Sequence, residues 1–259
     1  MLARAPGVSL FGSLLIGLIG LAWLALVVGG QSPYGRFLDH KNLDLVRVEG
    51  GPALLLFVVG WIVMIVAIML PTSLPLLVLF HQIVRQRADR RQVISLLLLG
   101  YVSVWTVFGI VVHAGDAMLH ALVASQTWLS DRAFLIGAAT LLLAGAYQFT
   151  PLKYHCLDRC RSPLAFIVGR WRGRQPAAEA FRLGVAHGLF CVGCCWSLML
   201  LMFAVGVGSL GWMLVLGAVM ATEKNVSWGR RLSAPLGALL LAGGFVAAFG
   251  GAIGVFNQG

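Results

Sequence analysis

The residues best suited to chemistry lie in the run HGLFCVGCCWSLMLLMF, which begins at His187. A helix turns by about 100° per residue, so His187, Cys191, Cys194 or Cys195, Met199 and Met202 advance by threes and fours along one side. The predicted product is a stripe of imidazole, thiol and thioether ~22 Å long. Soft sulfur donors with an imidazole select copper(I) or zinc over magnesium or calcium, and thioethers favour copper(I). Copper is therefore the expected metal, with zinc as the alternative. Cysteine and methionine also pack readily inside apolar helices, so a plain packing stripe is the competing reading. Cys156 and Cys160 stand one turn apart in YHCLDRCRSP, beside His155. They are expected either to complete the site as capture thiols on a basic loop or to be a solvated thiol pair.

A second constellation, HAGDAMLH, places His113, Asp116 and His120 at i, i+3 and i+7. If helix continues past Ala114, the three project within about 60° of one another and form a candidate copper or zinc site at the outer membrane boundary. Asp39 and His40 could add a ligand there. The alternative is a polar helix end meeting water. The spacing Asp116-x3-His120 loosely resembles a ligand pattern of copper membrane monooxygenases, too short to carry homology; a copper-dependent oxidase or monooxygenase-like subunit, with His113, Asp116 and His120 holding copper, is the competing function. Glu223 and Lys224 adjoin the end of an apolar run and read equally as an intramembrane functional acid or an anchoring ion pair at the interface. His81 opens a basic loop and is expected to be solvated. No nucleophile–base arrangement, paired carboxylates or phosphate-binding GxxxxGK[ST] loop can be assembled from the remaining polar residues, so enzymatic activity stays open rather than indicated.

The elements that must carry these residues follow from composition. The 259 residues are 59% hydrophobic and 11% charged, with a mean hydropathy of +0.91, which places the chain in a bilayer. An all-α, polytopic transmembrane bundle is expected, a single domain over 1–259 with about seven spans near 8–30, 52–80, 93–114, 133–150, 183–206, 209–222 and 232–256. A net charge of +10 would suggest nucleic acid for a soluble chain; here the positive residues sit between apolar runs, and no nucleic-acid partner is expected. Arg85, Arg87, Arg90 and Arg91 fill one loop. Lys153, Arg159, Arg161, Arg170, Arg172, Arg174 and Arg182 fill the next but one, and Lys224, Arg230 and Arg231 fall on the same side. Basic residues are retained in the cytoplasm, so the N-terminus is expected inside and the C-terminus outside, in a bacterial inner membrane. The first apolar run is too long for a signal h-region and reads as a span. All five cysteines then lie inside the cell or within a span, which argues against a disulfide framework. Pro71 and Pro75 should bend the second span and free carbonyls, and Gly243, Ala247 and Gly251, with Gly250 and Gly254, should let helices approach the last span.

Three blocks carry a family resemblance: WIVMIVAIMLPTSLPLL at Trp61–Leu77, AGAYQFTPLKYHCLDRCRSPL at Ala144–Leu164, and HGLFCVGCCWSLMLLMFAVGVGSLGWM at His187–Met213, followed by Glu223–Lys224. With these the chain resembles an uncharacterised bacterial family described as predicted metal-binding integral membrane proteins. Ile68 stands where a methionine doublet with Met69 is expected, and Gly208 where a methionine is usual, so any thioether pathway here is thinner. The resemblance implies a bound metal and names no reaction. The expected function is delivery, transport or storage of a soft transition metal, with the lipid bilayer and a metallochaperone or other membrane subunits as partners. A purely structural subunit is the remaining alternative.

Overall fold

The computed structural model describes residues 6–31, 51–130, 132, 134–205 and 210–252, and it is all-helical with no strand among them. In chain order the helices are α1 (Pro6–Gln31), α2 (Gly51–Val84), α3 (Arg90–Ser125), α4 (Thr127–Ser130), α5 (Phe134–Tyr147), α6 (Pro151–Cys160), α7 (Pro163–Val168), α8 (Pro176–Val205), α9 (Leu210–Asn225) and α10 (Ser233–Ala252), with a 3₁₀ turn at Gly229–Leu232 before α10. Helix α8 is the hub: α3, α5, α6 and α9 all pack on it. Helix α2 lies against α1, α3, α7 and α9, and α10 pairs with α5.

Among the described residues five helices are long and apolar enough to cross a membrane, within Leu10–Gly29, Leu54–Val84, Arg90–Ser125, Pro176–Met202 and Gly229–Gly250. A sixth span is available if α5 and α6, bent by 66° at their junction, count as one. The segment expected at 209–222 is α9, a 16-residue helix of ~24 Å against a hydrocarbon core of ~30 Å. Helix α3 runs eleven residues beyond the expected end at Ala114, because HAGDAMLH holds helical hydrogen bonds even as its hydropathy falls.

The junction of α5 and α6 corrects the loop expected after Thr150. Pro151 cannot extend α5 and instead begins α6, with Thr150 capping it by accepting from Lys153 N at 3.3 Å. The amides of Gln148, Phe149 and Thr150 bond back three residues at 3.0–3.2 Å, so the break leaves those donors satisfied. Along α6, Lys153, Cys156 and Leu157 are buried, with Cys160 half-buried on the same stripe, at i, i+3, i+4 and i+7. The cysteine segment is therefore an amphipathic helix seated on α8, not a solvated loop.

The prolines of α2 act as expected at one carbonyl. Pro71 lacks the N–H that would bond Ala67 O, and Trp23 Nε1 from α1 takes that oxygen at 3.1 Å. Small residues set the α3–α8 distance. A Cβ on Gly184 would stand 3.0 Å from Tyr101 N and closer still to the Leu97 carbonyl, so the two backbones touch and Tyr101 is pressed to α8. In α10 the expected glycine face is rotated: Gly243 meets nothing within 4 Å, whereas Gly244 abuts Leu142 of α5. Of its expected companions, Gly254 lies outside the described residues.

The basic segments meet at one end of the bundle. Arg87 lies 6.0 Å from the Trp171 ring, Arg230 pairs with Asp158 at 3.2 Å, and Arg161 donates to Ser227 O at 2.8 Å. Between α2 and α3, Arg87 grips both oxygens of Asp89 at 2.8 and 2.9 Å, and this hydrogen bonding holds the Asp89 carboxyl below its ordinary pKa. His81, expected to be solvated, is half-buried: one face of its ring stacks flat on Phe11 of α1 at 4.2 Å.

Candidate metal centre

Helix α8 carries Cys191, Cys194 and Cys195 into the driest part of the molecule, where each is at most 2% exposed. Helix α6 brings Cys156 against them. Its sulfur lies 2.6 Å from where a Cβ on Gly193 would stand, so the missing side chain at Gly193 is what admits it. Cys160, one turn on from Cys156 along α6, is half-buried and packs against the same core as Cys194. Helix α2 supplies Met69, whose Sδ is 4.0 Å from Cys195 Sγ. Met199 and Met202, one and two turns further along α8, lie in the same buried core as Met64, Met69, Met213 and Met220. The thioethers thus come from α2, α8 and α9, not from α8 alone.

These sulfurs are neighbours but are not a closed shell. Among the described residues no three His, Cys, Asp or Glu side chains converge tightly enough to hold an ion as they stand. The reason is visible in the thiols: Cys194 and Cys195 both donate to the carbonyl of Cys191, at 3.1 and 2.8 Å, and so lie along their own helix. A rotation about the Cα–Cβ bond is what would present them to a shared ion.

His187 is on α8 as expected but is directed away from the thiols. Its Nε2 lies 3.1 Å from Ser73 Oγ of α2, and its ring stacks on Tyr101 at 5.5 Å. Ser73 Oγ donates to Tyr101 OH at 3.3 Å, and Tyr101 OH lies 3.1 Å from Cys191 Sγ. His187 therefore reaches Cys191 only through two hydroxyls.

Glu223 and Lys224, adjacent at the end of α9, are not an interfacial ion pair. Both are buried, at 2% and 6% exposure, and they turn to different partners. Glu223 receives Lys153 Nζ at 2.8 and 3.0 Å and Ser233 Oγ at 2.6 Å, while Lys153 also donates to Gln148. Lys224 enters the sulfur cluster: its Nζ is 2.9 Å from Cys191 Sγ, 3.2 Å from Thr72 Oγ1, and 4.0 Å from both Met69 Sδ and Cys195 Sγ. Lys153, grouped above with the basic loop charges, is fully buried. The signal that could have found it is its place on the Lys153–Cys156–Cys160 stripe, and the Thr72–Ser73 pair between two prolines was a comparable sign in α2.

At the other end of the bundle, α3 continues through His113, Asp116 and His120 as that site required. His113 stacks on Phe57 at 4.2 Å. His120 Nδ1 lies 3.0 Å from Asp116 O and 3.4 Å from its carboxylate. Asp39 and His40 lie outside the described residues.

The family described as PpoB2, copper chaperone, matches residues 58–247. No curated protein and no solved structure matches the chain. The matched stretch is well over half the chain and contains every sulfur, hydroxyl and lysine of the cluster described above. This chain belongs to the PpoB2 copper chaperone family.

Proposed function

We propose that the chain is a multi-pass protein of the bacterial inner membrane that holds copper(I) among buried sulfurs and delivers it to a partner, a metallochaperone or another membrane subunit. The observation that carries this reading is the convergence of Cys156, Cys160, Cys191, Cys194, Cys195 and Met69 from three helices on one dry region within the family's matched stretch. Thiols and thioethers are the donors copper(I) prefers. The open arrangement also suits a carrier: rotation of Cys194 and Cys195 off the Cys191 carbonyl gathers the donors, and rotation back releases the ion. Cys156 and Cys160, on the helix nearest the basic end of the bundle, are the capture thiols in this scheme. The meeting of the three basic segments at that end supports its facing the cytoplasm, with the N-terminus inside and the C-terminus outside.

The test is metal per folded protein, purified in mild detergent and supplied with reduced copper. Wild type should bind copper(I), and Cys191→Ser should lose most of it, since a hydroxyl is a hard donor of nearly the same size. Wild-type protein that binds no reduced copper would sink the proposal. His113, Asp116 and His120, which do not converge on one point as they stand, are a second candidate copper contact at the other end of the bundle.

A further inference from the structure

A cluster built to bind a cation should exclude an ammonium, yet Lys224 lies inside this one. Its stem crosses the core to Cys191, Thr72, Cys195 and Met69, and its head is in contact with three of the cluster's sulfurs. Glu223 does not balance the charge, because its carboxylate is already held by Lys153 and Ser233. An unmatched ammonium in a medium of low dielectric is costly. Among its contacts the group able to match it is the Cys191 sulfur, as thiolate, at 2.9 Å. The lysine is therefore paired with the very donor that a soft metal would use.

We propose that the Lys224 ammonium is a placeholder cation, occupying the cargo position beside Cys191, Cys195 and Met69 until a soft monovalent ion displaces it. The proposal rests on the copper(I) reading above and deepens it by naming what sets the choice of ion. Two sulfurs bound at ~2.3 Å to one ion at 120° lie ~4.0 Å apart. Cys195 Sγ and Met69 Sδ are 4.0 Å apart, and Lys224 Nζ is 4.0 Å from each. On the side of those two sulfurs that faces Lys224 and its partner Cys191, an ion ~2.3 Å from both would stand ~2.3 Å from the present nitrogen. Ion and ammonium cannot share that space.

The exchange balances without redox chemistry. One bond forms between the Cys191 thiolate and the arriving ion, with the Met69 thioether and the neutral Cys195 thiol adding lone pairs. The N–H···S bond from Lys224 breaks, no electron or proton is transferred, and the ammonium carries its charge away. Lys224 is one residue from the end of α9, and its long stem lets the head travel toward that end. The cluster holds one positive charge before and after. A divalent ion making the same exchange would leave one uncompensated charge in the dry core, which is the physical basis for favouring copper(I) over zinc.

Silver(I), monovalent and inert to redox, and cadmium(II) are the probes. Full-length protein in detergent is acylated with a small amine-reactive ester, with and without bound silver(I), and modification is read by peptide mass spectrometry. Lys224 acylation is expected to rise severalfold on silver loading, while Lys153, buried and paired with Glu223, serves as the internal reference and stays unmodified. Excess cadmium(II) should not displace silver(I) from wild type, and Lys224→Met should bind silver(I) at least as tightly with that selectivity reduced. Silver bound with Lys224 still protected, or silver binding lost in Lys224→Met, overturns the placeholder while leaving the cargo reading intact. Wild type that binds no silver(I) overturns both. The acylation arm needs no variant to fold.

Discussion

Gly193→Ala tests whether α6 truly belongs to the sulfur cluster, and it does so without touching a donor atom. The new methyl would stand 2.6 Å from Cys156 Sγ and 3.3 Å from its Cβ. Ordinary heavy-atom contact is ~3.5–4.0 Å, so Cys156 must give way by ~1 Å, through a swing of its sulfur or a retreat of α6. Such overpacking costs about 1–3 kcal/mol. Metal–ligand distances tolerate only ~0.2 Å, so a displacement of this size removes Cys156 and Cys160 from any ion they share with α8. The expected result is a lower unfolding midpoint and a loss of copper held jointly by α6 and α8, both measured on detergent-purified protein. The double variant Gly193→Ala/Cys156→Ala deletes the clashing sulfur. Relative to Cys156→Ala it should show little further loss of stability, while copper remains reduced. If Gly193→Ala alone leaves stability and copper at wild-type levels, α6 is not seated on α8 as described and the inward turn at Pro151 is misjudged.

Four further outcomes are expected. Lys153→Met should destabilise the protein by about 3–5 kcal/mol, the cost of stranding a buried charge, and Lys153→Met/Glu223→Gln should recover much of it; equal losses in the single and double variants would contradict the pairing. Cys194→Ser should reduce bound copper sharply whereas His187→Ala should not, because His187 is bonded to Ser73 and not to a thiol; the reverse pattern in metal analysis would return His187 to the ligand set. His113→Ala combined with His120→Ala should lower total copper while sparing the ion held by the cysteines, and unchanged stoichiometry would leave ring packing on Phe57 and helix-end polarity as their roles. Reporter fusions after Arg91 and Arg174 should report a cytoplasmic location and one after Asp131 an extracytoplasmic location; an active periplasmic phosphatase at Arg174 would reverse the orientation.

Composition and periodicity alone determined that this chain is a helical bundle rich in candidate spans and that α8 bears a run of soft donors. Both properties are local: hydropathy averages over one helix length, and ligand spacing is read within one helical turn. Locality also explains the errors. Lys153 counted as a loop charge, and Lys224 stood equally between an intramembrane and an interfacial role, because a sequence shows that a lysine is costly in the core but not which anion awaits it there. Their partners, Glu223 and Cys191, are 70 and 33 residues away. Cys156 and Cys160 read as residues of a basic loop, either capture thiols or a solvated pair, because a proline after an apolar run marks an end, and only the packing of α6 on Gly193 shows the chain turning back inward. His187 shares the stripe of Cys191 by angle, yet a ring nitrogen points where a partner from another helix meets it, and that partner is Ser73 of α2. What the tertiary structure decided is therefore the pairing of buried polar groups. An unpaired charge in a dry core is costly, and the groups that match Lys153 and Lys224 arrive from helices far apart in the chain.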